Sequence, residues 1–120
     1  MKKYLIILVL LFFISPAFGE MWTKNDTYRE LTWATLFLID YGQTLNIAKN
    51  PDKYEEKNQI LGRHPSQSSV HKYMLSVAIL HPIISYYLLP EYRKYWQYIT
   101  IGIEADAVTN NFSIGIGINF

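Results

Sequence analysis

Apolar side chains recur at helical spacing along residues 25–48, and polar turn residues bound that stretch on both sides. Thr27 and Glu30 have the three-residue spacing of a capping box, which places the expected helix start directly after Thr27. Asn50, which is followed by a proline, marks the expected end. Between residues 32 and 39 the side chains are apolar nearly all round, so this helix is predicted to be buried in protein or in lipid.

Two further helices are predicted after a polar connecting segment. Ser68 or Ser69 can cap a second helix, which runs on as far as Pro90. Pro82 lies inside this helix and removes one backbone donor, which predicts a kink or a split there. Pro90 suits the first turn of a third helix, whose apolar pattern continues toward Asn110.

Residues 112–120 alternate strictly between apolar and small or polar side chains, which is the pattern of a strand. An alternative makes residues 98–108 a strand as well, joined to the tail by a hairpin at 109–111. A helix is favoured there because the alanines and carboxylates of that segment suit a helix better. The expected fold class is therefore mostly all-α: a compact bundle of three apolar helices with a short extended C-terminal tail, in one domain that spans residues 20–120.

The N-terminus has the three parts of a secretory signal peptide. Two lysines precede the apolar run Tyr4–Ile14, and Ala17 and Gly19 provide the small side chains of a cleavage site. The apolar run is shorter than the ~20 residues that a helix needs to cross the hydrocarbon layer. Residues 1–19 are therefore predicted to be a signal peptide, with an uncleaved anchor as the alternative.

Composition excludes several classes of function. The chain has 120 residues, no cysteine, and 11 Lys and Arg against 10 Asp and Glu. It is too short for a nucleotide-binding domain with a separate substrate domain, and the lack of cysteine excludes disulfide scaffolds and thiolate chemistry. The balanced charge lacks the basic excess of a nucleic-acid-binding protein, so no nucleic-acid partner is expected.

The apolar helices allow two settings after export. Five Lys and Arg residues lie in and beside the connection between the first two helices, against two in the next connection. This bias predicts an inner-membrane bundle with its first connection on the cytoplasmic side and the lipid bilayer as its partner. The aromatic residues of 86–98 suit a membrane interface, but they suit the rim of a periplasmic globular domain equally well. The periplasm is therefore the alternative location.

Two of the predicted helices carry polar side chains at the three-, four- or seven-residue spacing that keeps them on one side of a helix. These two stripes are expected to face each other, because charged groups are unfavourable in an apolar setting unless they are paired. A histidine of the second helix can join them. The candidate polar cluster consists of Asp40, Gln43, Thr44, His81, Gln97, Glu104 and Asn111.

This cluster has a functional and a structural interpretation. In the first, Asp40 and Glu104 share a proton or bind a cation, because like charges in a dry site raise one of the two pKa values. In the second, which is favoured, amides and hydroxyls satisfy both acids and fix the register of the helices. No metal site that adds His81 is expected, since no two histidines have ligand spacing, and no cofactor is predicted.

The connection between the first two helices contains a second motif. Gly62 permits a turn with positive φ, Pro65 stiffens the chain, and Asn58 can bond to nearby backbone. One interpretation is that Glu56 and His64 bind a ligand or act in catalysis. The favoured interpretation is that the motif only shapes the loop. The candidate loop motif consists of Glu56, Asn58, Gly62, His64 and Pro65.

One set of residues spans nearly all of the mature chain. It comprises Asp40, Gln43 and Thr44, then Glu56, Asn58, Ile60, Leu61, Gly62, His64, Pro65 and Ser66, and finally Gln97, Glu104 and Asn111. This set resembles a family of small uncharacterised exported proteins of bacteria and their phages, although the family tends to carry proline where this chain has Gln59. The resemblance implies a helical envelope protein with a polar interior, and it implies no activity.

The expected function is that of an exported cell-envelope protein, structural or interacting, held in the inner membrane around a buried polar network. Its expected partners are the bilayer and either an envelope protein or a second copy of the chain. The alternative is a small membrane or periplasmic enzyme, or a cation-binding protein, that uses the buried Asp, Glu and His side chains. A phage lysis or exclusion factor is a third interpretation, which no residue selects.

Overall fold

The computed structural model describes residues 22–120, which form three α-helices joined by two connections. α1 comprises Lys24–Lys49, α2 comprises Gln67–Tyr87, and α3 comprises Pro90–Ser113. No strand occurs in this part of the chain. The prediction of an all-α bundle of three helices is therefore confirmed. The predicted signal peptide, residues 1–19, lies outside the described residues.

α1 begins one turn before its predicted start. Thr23 is the N-cap: its side chain accepts a hydrogen bond from the Asp26 N–H (3.2 Å), and Asp26 Oδ2 accepts one from the Thr23 N–H (2.8 Å). The capping box is thus Thr23 with Asp26, and the predicted pair of Thr27 and Glu30 is wrong. Glu30 does not cap the helix because its carboxylate bonds to α2 instead.

α2 begins after Ser66, whose side chain accepts a hydrogen bond from the Ser69 N–H at 3.1 Å. The predicted caps, Ser68 and Ser69, lie inside the first turn. α2 continues through Pro82, so the helix is not split at this proline. Its residues on both sides of the proline therefore remain packed along α1.

α3 begins at Pro90, where the fixed φ of proline suits a first turn. Residues 98–108 are helical throughout, so the alternative of a strand and a hairpin is wrong. The helix also includes residues 112–113, which the alternating pattern assigned to the tail. It continues to this point because backbone N–H groups as far as Ile114 still bond to carbonyls one turn earlier, here to Asn110 at 3.3 Å.

The tail, residues 114–120, turns back onto α1 and is not a strand. Gly115 makes the turn with a φ of 88°, a left-handed conformation that glycine adopts readily. Because the tail lies beside a helix, it has no neighbouring strand with which to form a ladder. Contacts that hold it include burial of Ile116, a hydrogen bond from Asn46 Nδ2 to Gly117 O (3.0 Å), and one from the Asn119 N–H to Gly42 O (3.0 Å).

α1 is the centre of the packing, because it contacts both other helices extensively while α2 and α3 touch each other least. The apolar core is small, and it lies between α1 and α2. It comprises Trp33, Phe37, Leu45, Val70 and Met74. The seam between α1 and α3 is where polar side chains are buried, and the two helices run parallel along it.

None of the three helices in residues 22–120 is both long and apolar enough to cross a bilayer. The predicted transmembrane bundle is therefore not supported. Part of the reason lies in the polar side chains of α1 and α3, such as Asp40 and Glu104, which interrupt each apolar stretch.

Gly42 is the point at which the tail meets α1. A Cβ atom there would lie 2.4 Å from Ile118 Cγ2 and 3.0 Å from Phe120 Cε2, whereas a Cβ on Gly102 of α3 would meet nothing within 4 Å. Gly102→Ala should raise the free energy of unfolding by about 0.5–1 kcal/mol through helix propensity. Gly42→Ala should lose this gain because the tail must move away. Chemical denaturation measures both effects, and hydrogen exchange at Asn119 should accelerate only in Gly42→Ala. Equal stabilisation by the two substitutions would contradict the contact.

Candidate functional site

The polar stripes of α1 and α3 face each other along the seam between the two helices. The seam has two parts that differ in hydrogen bonding: a network around Arg93, and a cavity lined by carboxyl groups farther along. Three contacts mark its length: Gln97 Nε2 to Glu30 Oε1 at 3.2 Å, the carboxyls of Glu104 and Asp40, and Asn111 Nδ2 to Gln43 Oε1 at 3.1 Å.

Arg93 is completely buried and connects all three helices. Its Nε donates to Ser85 O (2.7 Å), and its Nη2 donates to Tyr86 O (3.2 Å) and Leu88 O (3.0 Å). Its Nη1 donates to Asp26 Oδ2 (3.1 Å) in the first turn of α1. The guanidinium therefore satisfies carbonyl groups at the end of α2, which have no partners within the helix, and also pairs with a buried carboxylate.

Asp26 remains a carboxylate although it is buried. Burial alone would raise its pKa, but the backbone N–H of Thr23 and the positive charges of Arg93 and Arg29 hold the pKa below its ordinary value. Arg29 also donates from Nε to Gln97 Oε1 at 2.7 Å. Each charged group in this part of the seam thus has a charged or polar partner.

His81 lies between two tryptophan rings, with ring centroids 3.6 Å from Trp33 and 4.8 Å from Trp96. Its Nδ1 is 3.0 Å from Glu30 Oε2, and its Nε2 is 2.8 Å from Thr100 Oγ1. The structure therefore places His81 with Glu30. It does not place it with Asp40 and Glu104, as the predicted cluster required.

The carboxylate of Glu30 contacts three other side chains in this part of the seam. Its carboxylate accepts hydrogen bonds from Ser85 Oγ and from Gln97 Nε2, in addition to its contact with His81. Burial would raise the pKa of Glu30, but these hydrogen bonds and the charge of His81 lower it below its ordinary value. Its polar atoms are all paired, which is the behaviour expected of a structural network.

We call this set the Arg93 network. It comprises Asp26, Arg29, Glu30, His81, Ser85, Arg93, Gln97 and Thr100. Of these, only His81 and Gln97 belong to the polar cluster that the sequence predicts.

The second part of the seam is a cavity of about 420 Å³ lined by all three helices and by the connection after α1. α1 contributes the carboxyl group of Asp40, the connection contributes that of Glu56, and α3 contributes those of Glu104 and Asp106. Apolar side chains complete the lining. We call this space the carboxyl cavity.

Asp40 and Glu104 form a hydrogen bond between their carboxyl groups, which requires one of them to hold a proton. Burial raises the pKa of Glu104, and the nearby charge of Asp40 raises it further, to about 8. Burial also raises the pKa of Asp40, although the hydrogen bonds from Glu104 and Thr44 oppose this. Glu104 is therefore the acid that carries the shared proton at neutral pH.

Glu56 reaches the cavity from the connection between α1 and α2. Its Oε1 accepts hydrogen bonds from the N–H groups of Lys57 and Asn58, both at 3.0 Å. Burial and the charge of Asp40 raise its pKa, although these two N–H groups act in the opposite direction. Glu56 Oε2 and Glu104 Oε2 are both shut off from solvent and receive no hydrogen bond from an N–H or O–H group of residues 22–120.

The turn chemistry of the connection holds Glu56 in this position. Asn58 Oδ1 accepts a hydrogen bond from the Ile60 N–H at 2.9 Å, and Gly62 closes the turn with a φ of 83°. The Glu56 N–H donates to Arg63 O at 2.8 Å. Glu56, Asn58 and Gly62 of the predicted loop motif therefore act together.

The other two residues of the loop motif lie elsewhere. His64 is exposed, with its Nε2 3.9 Å from Glu55 Oε1, and it does not line the cavity. Pro65 is buried next to the start of α2. A catalytic or binding role for His64 in this cavity is therefore not supported.

Gln43 has a structural role at the far end of the seam. It is completely buried, and its Nε2 lies 3.3 Å from Val108 O and 3.4 Å from Ile116 O. Its Oε1 accepts a hydrogen bond from Asn111. Gln43 thus ties the end of α3 and the tail to α1. Thr44, next to it, donates to Asp40 Oδ1 at 3.4 Å.

Within residues 22–120, no group of three His, Asp or Glu side chains is placed to hold a metal ion. His81 is taken up by the Arg93 network, which leaves the carboxyl cavity without a histidine. What the cavity supplies is therefore a shared proton and several oxygen acceptors beside apolar side chains.

Comparison of the chain with protein-family models, with curated proteins and with solved structures finds no match.

Removal of the Arg93 side chain should strongly lower the free energy of unfolding. Arg93→Met would remove one of the two cations that pair with the buried Asp26 and would leave carbonyl groups of α2 without donors. We expect the free energy of unfolding to fall by about 3–5 kcal/mol. Lys94→Met, an exposed neighbour, is the control and should change it by less than about 0.5 kcal/mol. Urea denaturation measures both, and a small effect of Arg93→Met would show that the network is not structural.

Because Asp40 and Glu104 share a proton, the free energy of unfolding should decline as pH rises. The pKa of Glu104 is about 8 in the folded chain against an ordinary value of 4.5, so the native state binds more protons in this interval. The stabilisation from neutral Glu104 is complete below the ordinary pKa and is lost as pH rises through the folded pKa. Glu104→Gln should therefore flatten the decline in the free energy of unfolding, measured by urea denaturation across this range.

A matched control is Glu91→Gln, which removes an exposed carboxylate from the first turn of α3 and should leave the decline unchanged. The lowered pKa values of Asp26 and Glu30 act at lower pH, since their contribution is lost only as pH falls through the folded values. These two contributions therefore change outside the pH range from 4.5 to about 8 in which Glu104 acts. An identical decline in the Glu104→Gln and Glu91→Gln variants would contradict the shared proton.

Proposed function

We propose that the chain is an exported protein of the cell envelope that lies against the inner membrane and acts by interaction there. Export follows from the predicted signal peptide, and the resemblance to small exported proteins implies the same setting. The observation that supports membrane contact is the number of exposed apolar side chains. Among residues 22–120, 18 large hydrophobic residues are exposed, whereas 9 hydrophobic residues are buried. Such residues are among those most often buried in a protein surrounded only by water.

The exposed apolar residues form stripes opposite the buried polar ones. On α2, Leu75, Ile79 and Ile83 follow each other at four-residue intervals and are 55%, 61% and 44% exposed. On α3, Ile99 and Ile103 have the same spacing and are each 61% exposed. Extended apolar surfaces of this kind mark membrane or partner contacts.

Tyrosines favour the bilayer as the partner of these stripes. Tyr92, Tyr95 and Tyr98 are exposed at the start of α3, and Tyr86 is exposed near the end of α2. Tyrosine is enriched at the boundary between lipid and water because its ring is apolar and its hydroxyl is polar. An envelope protein or a second copy of the chain is the alternative partner.

The carboxyl cavity favours a second candidate function, a periplasmic or membrane-associated protein that binds or transforms a small ligand. A structural network satisfies its polar atoms, as the Arg93 network does. Glu56 Oε2 and Glu104 Oε2 are not satisfied in this way. A neutral acid beside an ionised one also has the pairing that general acid–base chemistry uses.

Vesicle flotation tests membrane contact. The exported chain, recovered from cells, is mixed with vesicles of phosphatidylethanolamine and phosphatidylglycerol. Ile79→Gln combined with Ile99→Gln should lower the floated fraction several-fold, because each change removes about 1 kcal/mol of apolar transfer energy. Ile60→Gln is the control, since Ile60 is 79% exposed but lies in the polar connection.

Equal flotation of the double variant, the control and the unsubstituted chain would contradict membrane contact through these stripes. Recovery of the exported chain entirely in the soluble fraction, with none on the membranes at neutral pH, would contradict it as well. A stable dimer in which the stripes are protected from hydrogen exchange would identify a second copy as the partner instead.

A further inference from the structure

The lining of the carboxyl cavity contains two chemically different sets of side chains. Asp40, Glu56 and Glu104 supply oxygen acceptors, and we call them the acceptor wall; Phe37, Met74 and Val77 supply hydrocarbon, and we call them the apolar wall. A ligand that fills the space must therefore have a polar and an apolar part.

The charges around the cavity favour a cation. Asp106 joins the three acids of the acceptor wall, and Lys57 is the single basic residue of the lining. Lys57 is exposed, and within residues 22–120 it forms no ion pair with these acids. An anionic ligand would meet repulsion from ionised Asp40, whereas a cation would be attracted.

Two acceptor atoms of the cavity have no hydrogen-bond donor within residues 22–120. Glu56 Oε2 and Glu104 Oε2 are buried without a donor from the rest of the described chain. A buried acceptor without a partner is unfavourable by about 1–3 kcal/mol. A ligand that donates hydrogen bonds to these two oxygens removes that penalty. The two oxygens therefore indicate a ligand independently of the negative charge of the lining.

A compact organic cation meets these requirements better than a metal ion. A metal needs several ligands converging at fixed distances, and no group of three in residues 22–120 is so placed. A primary ammonium group carries three N–H donors around one centre and tolerates varied geometry. Its methylene groups can lie against the apolar wall.

We propose that the carboxyl cavity binds a small primary alkylammonium ion. Its –NH₃⁺ group would lie among Asp40, Glu56 and Glu104, and its hydrocarbon part would lie against Phe37 and Met74. This proposal rests on the second candidate function and does not require membrane contact.

The first experiment compares a cation with a neutral molecule of the same shape. Butylammonium chloride and 1-butanol are titrated into the full chain, and NMR follows the side-chain amides of Asn58 and Asn111, which line the cavity. Butylammonium should give saturable shifts at millimolar concentration, and 1-butanol should bind about tenfold more weakly or less, for lack of a charge-assisted hydrogen bond. Equal binding of the two would overturn the ammonium assignment but leave a ligand site. Saturation by neither would overturn the ligand site as well.

Substitutions locate the binding. Asp40→Asn keeps the shape of the side chain and should weaken butylammonium binding about tenfold, by loss of one charged partner. Glu91→Gln, which removes a distant exposed carboxylate, should leave binding unchanged. Equal affinity of the two variants would overturn the proposed position.

Proton release gives a readout that needs no variant. At neutral pH Glu104 holds a proton because burial and Asp40 raise its pKa to about 8. A bound ammonium favours the ionised carboxylate, so binding should release protons. Calorimetry in two buffers of different ionisation enthalpy measures this release. Saturable binding without any proton release would place the cation away from Glu104 and overturn the proposal.

Discussion

The ion pair of Arg93 and Asp26 lies out of reach of water, so the donors of the guanidinium must be used inside the protein. Three of its hydrogen bonds go to carbonyl groups at and after the end of α2, and this folds the chain sharply into α3 after only a short connection. The bond to Asp26 then fixes the start of α3 beside the start of α1. One buried cation thus sets both the turn between α2 and α3 and the parallel alignment of α3 with α1.

That alignment determines what the rest of the seam can contain. Once Arg93 lies opposite Asp26, the seven-residue repeat of α3 brings Gln97, Glu104 and Asn111 in turn against α1. At the Arg93 end, donors and acceptors match. In the carboxyl cavity, two acids meet and must share a proton, and a third acid arrives from the connection. The contrast within one seam is the physical reason to assign structure to the first part and ligand chemistry to the second.

Local patterns were sufficient for the three helices and for the two facing stripes, because helical periodicity and prolines act over a few residues. The error at the start of α1 had a larger consequence. With the helix start expected after Thr27, Glu30 is interpreted as a capping residue and Asp26 lies outside the helix, although both continue the same face as Trp33 and Asp40 at three- and four-residue spacing. His81 was accordingly assigned to the wrong acid. The prediction of a strand in the tail is wrong for another reason. A strand needs a neighbouring strand with which to pair, and the alternating pattern of the tail does not provide one. The position of Glu56 depends on how the turn at Gly62 folds the connection back, which spacing alone does not determine.

Glu104 links the two proposals through its proton. It lines the carboxyl cavity and also an apolar groove of about 240 Å³ between α2 and α3, whose other residues include Leu80, Ile84 and Ile103. Apolar matter that covers the groove removes water from Glu104 and favours its neutral form. An ammonium ion in the cavity favours the ionised form. The proposed membrane contact and the proposed ligand binding would therefore act in opposite directions on one carboxyl group, and by thermodynamic linkage each would weaken the other.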